Sequence, residues 1–188
     1  MTTTATSTRF RVRPATEAEL DTVGQLTFEG FGHHLPGAPQ PTPERRALLL
    51  DAAARARDGV ILVAENLDTG SLVGTATLLP FGSTLARQAL EGETELRLLA
   101  VLPEARRSGI GWKLLEEAVA LSIESGAHTV VLDTGLENEQ SQLLYRRFGF
   151  VRRPEREKPR PAPHVQLVIY TLNLPRPHSK PETRTGVS

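Results

Sequence analysis

Apolar and polar positions alternate in two different rhythms along this chain. Phe10-Arg11-Val12-Arg13 has a period of two and predicts a short strand, stopped at Pro14. Thr16, followed by Glu17 and Glu19, starts a helix that carries Leu20, Val23, Leu26 and Thr27 on one face and runs toward Phe31. Residues 32–43 hold prolines and glycines and read as a loop. Thr42-Pro43-Glu44 then opens a second helix through about residue 57, with Pro at its first helical position. Residues 59–65 form a continuous apolar run and 72–79 a second. The Asp-Thr-Gly turn signal lies between them, so they read as a hairpin. After a polar connection, residues 95–102 give a third long strand ended by Pro103. Ile110, Leu114, Ala118 and Leu121 mark one face of a helix that ends at Gly126. Residues 128–133 form a strand and 138–148 a helix stopped by Gly149. Phe150 and Val151 begin another strand, 152–163 is a Pro- and charge-rich loop, and 165–174 is the last strand.

The order is β-α-α-β-β-β-α-β-α-β-β, without internal repeats. Residues 95–133 form a strand–helix–strand unit, so their two strands should be parallel. The 59–79 hairpin is antiparallel, and a mixed α/β sheet follows. One domain over residues 9–174 is expected, with polar ends at 1–8 and 175–188 read as disordered.

Composition narrows the chemistry. The chain has 188 residues, with 22 basic and 22 acidic, so the formal net charge is zero. That balance argues against a nucleic-acid partner and against electrostatic attachment to a membrane. There is no cysteine, which excludes disulfides, thiolate metal sites and a cysteine nucleophile. The N-terminus lacks the apolar core of a signal peptide, and no segment approaches the length of a membrane helix. A cytoplasmic protein is expected. No spacing suggests a metal site.

The segment Arg106-Arg107-Ser108-Gly109-Ile110-Gly111 leaves a strand and enters a helix. The first N–H groups of a helix lack intrahelical partners and carry the positive end of its dipole. Glycines admit a ligand close to the backbone, and two arginines add charge, so the loop suits a pyrophosphate. Gly109 and Gly111 equally suit a tight strand–helix turn. A dinucleotide fingerprint would need a third glycine where Leu114 stands, although Asp133 is placed to hold a ribose. A P-loop lysine is missing as well.

Two blocks bear a family resemblance. The first is Glu95-Leu-Arg-Leu-Leu-Ala-Val-Leu-Pro103 followed by Arg106-x-x-Gly109-x-Gly111. The second is Asn138 to Phe150, in which Tyr145 stands seven residues after Asn138 and Gly149-Phe150 follow. Together with the opening 10–16 segment they resemble the Gcn5-related N-acetyltransferase (GNAT) superfamily over about residues 9–174. The resemblance implies a central mixed sheet of about seven strands, about four flanking helices, and a cleft where the fourth and fifth strands splay. It implies acetyl-CoA as co-substrate, no metal, and an amine-bearing acceptor, either a small molecule or a protein amine, with homodimer formation left open. Pantetheine would pair along Leu99, Ala100 and Val101. Pyrophosphate would sit on Arg106, Arg107, Ser108, Gly109, Ile110 and Gly111, and Asn138 and Tyr145 would complete the cofactor face. Tyr145 would protonate the departing thiolate. Glu95 would act as general base, the alternative being a solvated strand-end residue paired with Arg97. His33 and His34 read as exposed loop residues, His128 as a strand-edge residue, and Trp112 as cover for a helix flank. A non-catalytic module that binds coenzyme A on the same fold is the alternative function.

Overall fold

The two rhythms sort the chain into a sheet and the helices that cover it. A computed structural model describes residues 9–162 and 164–175. The expected disordered ends, 1–8 and 175–188, lie outside the described residues except for Pro175. The elements are β1 (Phe10–Pro14), α1 (Leu20–Gly30), α2 (Pro43–Leu50), α3 (Ala52–Asp58), β2 (Val60–Asn66), β3 (Leu72–Pro80) and β4 (Glu93–Val101). Then follow α4 (Ile110–Glu124), β5 (Thr129–Gly135), α5 (Glu139–Phe148), β6 (Val151–Arg152) and β7 (Leu167–Asn173). The seven strands form one mixed sheet in the order β1-β2-β3-β4-β5-β7-β6. β4 and β5 are parallel, and every other neighbouring pair is antiparallel.

Both faces of the sheet are covered, which is why β2 and β3 read as continuous apolar runs rather than alternating ones. Leu62 and Ala64 of β2 pack on the α4 side with Ile110, Leu114 and Leu115. Ile61 and Val63 point the other way, against Val23 of α1 and Ala52 of α3.

The second helix departs from expectation by breaking in two. Asp51 ends α2 and caps α3, its carboxylate accepting the Ala54 N–H at 2.8 Å. The break turns the Leu50 carbonyl toward α1, where Gly24 leaves room for it. A Cβ at position 24 would lie 2.1 Å from the Leu50 oxygen.

The same break leaves the Leu49 carbonyl for a side chain. Arg55 of α3, only 1% exposed, donates Nη2–H to that carbonyl at 3.0 Å and to Thr27 Oγ1 at 3.1 Å. Its Nη1–H reaches Thr77 Oγ1 of β3 at 3.0 Å, while its Nε has no hydrogen-bond partner. One guanidinium therefore ties α1, α2, α3 and β3 together. Burial lowers its pKa to about 10, so it remains charged at neutral pH. Replacing Thr77 with Val keeps the shape and strips one acceptor from a buried cation. Thr77→Val should lower unfolding free energy by about 1–3 kcal/mol. The measurement is the urea midpoint at unchanged m-value, and an unaltered midpoint would remove Arg55 from its structural role.

Candidate active site

β4 and β5 start as neighbours and then part. Their paired residues run from Glu93–Thr129 to Leu96–Leu132 and stop there, although β4 continues to Val101 and β5 to Gly135. The cause lies on the other edge of β4. Its register on β3 jumps from Arg97 opposite Thr77 to Ala100 opposite Thr75, so Leu98 and Leu99 together face Ala76. Leu98 takes a φ of +54°, in the left-handed region. Such a bulge bends the strand and raises its twist. It also puts Arg97 and Leu98 on the same side. Leu98 enters the cluster of Phe28 and Leu49, and Leu99 and Val101 turn toward α4.

The resulting cleft has a volume of about 1210 Å³ and lies between the end of β4, the start of α4 and one face of α5. Of the residues expected to hold the cofactor, it brings together Leu99, Val101, Arg106, Arg107, Gly109, Ile110 and Gly111. Backbone groups on a strand alternate sides. Because Leu102 N–H bonds the Val73 carbonyl of β3 at 3.0 Å, those of Val101 face the cleft. Ala100 departs from its expected role. Its backbone is in register with Thr75 of β3, and its side chain lies beneath Gly30.

The loop presents amides. Gly109 caps α4 with φ +87°, no side chain caps the helix, and no acidic residue stands in its first turn. A Cβ at Gly109 would meet nothing within 4 Å, so what demands glycine here is the backbone angle. Arg107 also holds a positive φ, +61°. Uncapped first-turn N–H groups at the positive end of a 15-residue helix form a site for an anion. This donor set fits a diphosphate. The side chains of the loop are less free than expected. Arg106 donates to the carbonyls of Gly30 (2.9 Å) and Val101 (3.2 Å), and Ser108 Oγ to that of Ala105 (2.5 Å).

α5 contributes residues that the motifs did not single out. Leu144 and Arg147 line the cleft, Arg147 lying in the last turn of an amphipathic helix. Trp112 does more than cover a flank. It lines the cleft, packs on Phe148 with ring centroids 4.8 Å apart, and donates Nε1–H to Glu116 at 2.9 Å. Asn138 is exposed and serves as the N-cap of α5, accepting the Ser141 N–H at 3.2 Å. Tyr145 is 6% exposed, packed between Phe150 and Tyr170 at centroid distances of 5.9 and 6.1 Å. Burial first, and then the charge of Asp133, push its phenol well above the ordinary value, while Ser141 partly opposes them. It is neutral throughout the physiological range.

Glu95 is not the solvated residue that its place at a strand end suggested. It is 0% exposed. Its Oε2 accepts three consecutive backbone N–H groups, from Arg87 (2.7 Å), Gln88 (2.6 Å) and Ala89 (3.1 Å). Oε1 has no hydrogen bond and lies 3.6 Å from Arg97 Nε. The pairing with Arg97 is present, and what the carboxylate visibly holds is the 81–92 segment. Other carboxylates hold the same segment. Asp133 of β5 accepts from Arg87 Nη2 at 2.9 and 3.0 Å and from Gln88 Nε2 at 3.0 Å, so it is engaged rather than free for a ribose. Glu93 accepts the Leu90 N–H and pairs with Arg156 at 3.0 Å. Asp58 accepts from Ser83 Oγ and from the Leu85 N–H. The basic cluster at 152–160 is therefore partly committed, through Arg156–Glu93 and through Arg152–Glu157 at 2.8 Å. His33 is half-buried beside Phe28 and Phe31, and His34 is exposed. His128 is exposed just before β5, its ring against Gly92. Among the described residues no group of three His, Asp or Glu is placed to hold a metal, and no helix is long and apolar enough to cross a membrane.

Known proteins resemble this chain. Residues 25–150 match the model of the acetyltransferase (GNAT) family. An uncharacterized N-acetyltransferase of Bacillus subtilis, YhfO, is 31% identical over 126 residues, which cover 67% of this chain and 74% of that protein. N-alpha-acetyltransferase 30 of Schizosaccharomyces pombe is 33% identical over 75 residues, 38% of this chain. The human protein of that name is 39% identical over 57 residues, 30% of this chain. The matches span 50% and 16% of the lengths of those two relatives. A GNAT-family acetyltransferase structure from Staphylococcus aureus superposes with a TM-score of 0.69 at 16% identity, covering 89% of this chain and 100% of that one, a likeness of fold. With more than half of its length matched by the family model, and the parted strands and glycine loop in place, the chain belongs to the acetyltransferase (GNAT) family.

Proposed function

We propose that this protein transfers the acetyl group of acetyl-CoA to an amine by direct attack. The carrying observation is the uncapped amide-rich start of α4, opening into a cleft between the end of β4 and one face of α5, with a neutral buried phenol on that same helix. Phosphate oxygens of the co-substrate accept the first-turn N–H groups, and Arg107 and Arg147 add charge beside them. The cleft-facing backbone of Val101 is the natural partner for an amide-bearing arm. Arg106 acts by holding the loop to α1 rather than by contacting phosphate.

The reaction needs no side-chain nucleophile. The acceptor nitrogen attacks the thioester carbonyl carbon, a C–N bond forms and the C–S bond breaks. One proton leaves nitrogen and one arrives on sulfur. The Tyr145 phenol keeps its proton through the working pH range and so has one to give as charge develops on sulfur, although burial makes it a weaker acid than a free phenol. Glu95, closed off and bonded to three amides, makes a poor route for the proton from nitrogen, and water in the cleft takes that proton instead. On this reading Glu95 no longer argues against a non-catalytic module, and thiol release with an amine panel separates the two functions.

Gly109→Glu adds a carboxylate where the phosphates would bind and forces a side chain onto φ +87°. Coenzyme A binding, read by calorimetry, should be abolished, and wild-type affinity would overturn the cofactor assignment. Tyr145→Phe keeps the aromatic packing and removes the donor. It should lower kcat by about a hundredfold with little change in the KM for acetyl-CoA, within the usual range for general acids. The sign of the Tyr145 shift sets the pH behaviour. The neutral phenol is favoured by folding, so activity should show no falling limb from its ionisation up to about pH 10, the unperturbed value. A kcat of Tyr145→Phe equal to wild type across pH 7–9 would remove the residue from the mechanism.

A further inference from the structure

Trp112 is the only tryptophan of the chain, and it stands at the surface of a cavity rather than in the core. It is 38% exposed and follows directly on Gly111, the last glycine of the loop. Its ring is fixed from two sides. The Phe148 ring supports it at 4.8 Å between centroids, with the planes inclined at 57°, and Nε1–H donates to Glu116 Oε1 at 2.9 Å. The one polar group of the indole is thus satisfied by a residue outside the cleft lining. What is left for the cleft is a flat apolar surface held in place.

The facing helix adds a matching strip. Gln140, Leu143 and Arg147 of α5 are spaced three and four residues apart, hence on one helix face, and all three line the cleft. Leu143 is 43% exposed, a second large apolar side chain left open in the same cavity. Arg147 ends the strip beside Phe148, the ring on which Trp112 rests. Neither Arg147 nor Arg107 enters an ion pair among the described residues, whereas Arg106 is bound to two carbonyls. Glu104 is the one carboxylate among the described lining residues, so positive charge is in excess. At about 1210 Å³ the cavity also exceeds the roughly 300–1,000 Å³ of ordinary small-ligand pockets. There is room beyond the amides of α4 for more than an arm and a diphosphate.

We infer that this end of the cleft recognises the nucleotide of coenzyme A: the adenine rests on the Trp112 ring and the ribose 3′-phosphate pairs with Arg147, while the diphosphate takes the amides of α4 and Arg107. The assignment depends on the acetyl-CoA reading above and extends it. A base offers its π-face to an aromatic side chain whatever its identity, and a guanidinium matches phosphate oxygens in pairs. The consequence is a choice of carrier. A thioester on free coenzyme A makes all of these contacts. The same thioester on a phosphopantetheine arm ends at its first phosphate, leaving Trp112 uncovered and Arg147 without an anion.

Because Trp112 is the sole tryptophan, its emission reports on its own surroundings. Four probes divide the ligand: coenzyme A, dephospho-coenzyme A without the 3′-phosphate, 4′-phosphopantetheine without the nucleotide, and adenosine 3′,5′-bisphosphate without the arm. A saturable change in emission is expected with coenzyme A and with the bisphosphate, and none with phosphopantetheine. By calorimetry, Trp112→Leu should weaken coenzyme A about five- to a hundredfold, the range of base–aromatic stacking, with Trp112→Phe between it and wild type. Arg147→Gln should bring coenzyme A down to the affinity of dephospho-coenzyme A, whose own affinity stays as in wild type. The urea midpoint checks that each variant is folded. Phosphopantetheine bound as tightly as coenzyme A, coenzyme A bound without a change in emission, or folded Trp112→Leu and Arg147→Gln variants with wild-type affinity would each overturn the nucleotide assignment and leave the cofactor reading standing. Wild-type protein that binds none of the four probes overturns both.

Discussion

One extra residue in β4 governs the functional end of this molecule. Leu98, at φ +54°, sits in a backbone region that costs a non-glycine residue roughly 1–3 kcal/mol. The cost is offset locally, because its side chain completes the cluster of Phe28 and Leu49. Packing on the α1–α2 side therefore bends a strand whose effects appear on the α4 side. Past Leu96 the inner edge of β4 has no strand beside it, and backbone groups in the middle of a sheet need partners. Arg106 takes one of them, the Val101 carbonyl.

The two sides of the parted strands are built by different physics. The α4 side is made of backbone, namely a helix start without a cap and a loop that bends through Arg107 and Gly109 at positive φ. Its positive field comes from dipoles fixed by the fold, which no side-chain substitution supplies. The other side is made of ions, with Arg97 beside Glu95 and Arg87 on Asp133. Tyr145 packs between Phe150 and Tyr170 and is held neutral first by burial and then by the charge of Asp133.

The sequence made the glycine loop legible and hid the ionic network. Arg106 to Gly111 follows a strand and opens a helix, so local spacing alone marked the uncapped helix start that the structure shows. The element order and the parallel β4–β5 pair were equally readable from hydrophobic period. Three things were not. The break at Asp51 depends on the Leu50 carbonyl meeting Gly24, a contact between residues far apart in sequence. Asn138 sits in a helix-like run, and its capping role shows only in its own geometry, although Asn is a favoured cap. Glu95 looks like a strand-end carboxylate in one dimension, and the amides of 87–89 that enclose it come from a segment with no periodic signal at all. Ionic networks of this kind join distant positions, and nothing in a local pattern announces them.

The 81–92 segment contains neither helix nor strand and is held at its base by Asp58, Glu93, Glu95 and Asp133, four carboxylates from different parts of the fold. Ser83 and the Leu85 amide keep the Asp58 carboxyl below its usual range, so this grip is present above ordinary carboxylate titration and fails as pH drops further. The sheet beneath is held by buried apolar side chains that do not titrate. Acid should thus loosen the Ser83–Leu85 end first, its amides opening to hydrogen exchange while those of β2, β3 and β5 stay protected. That end of the segment is the part of this protein that can come undone alone.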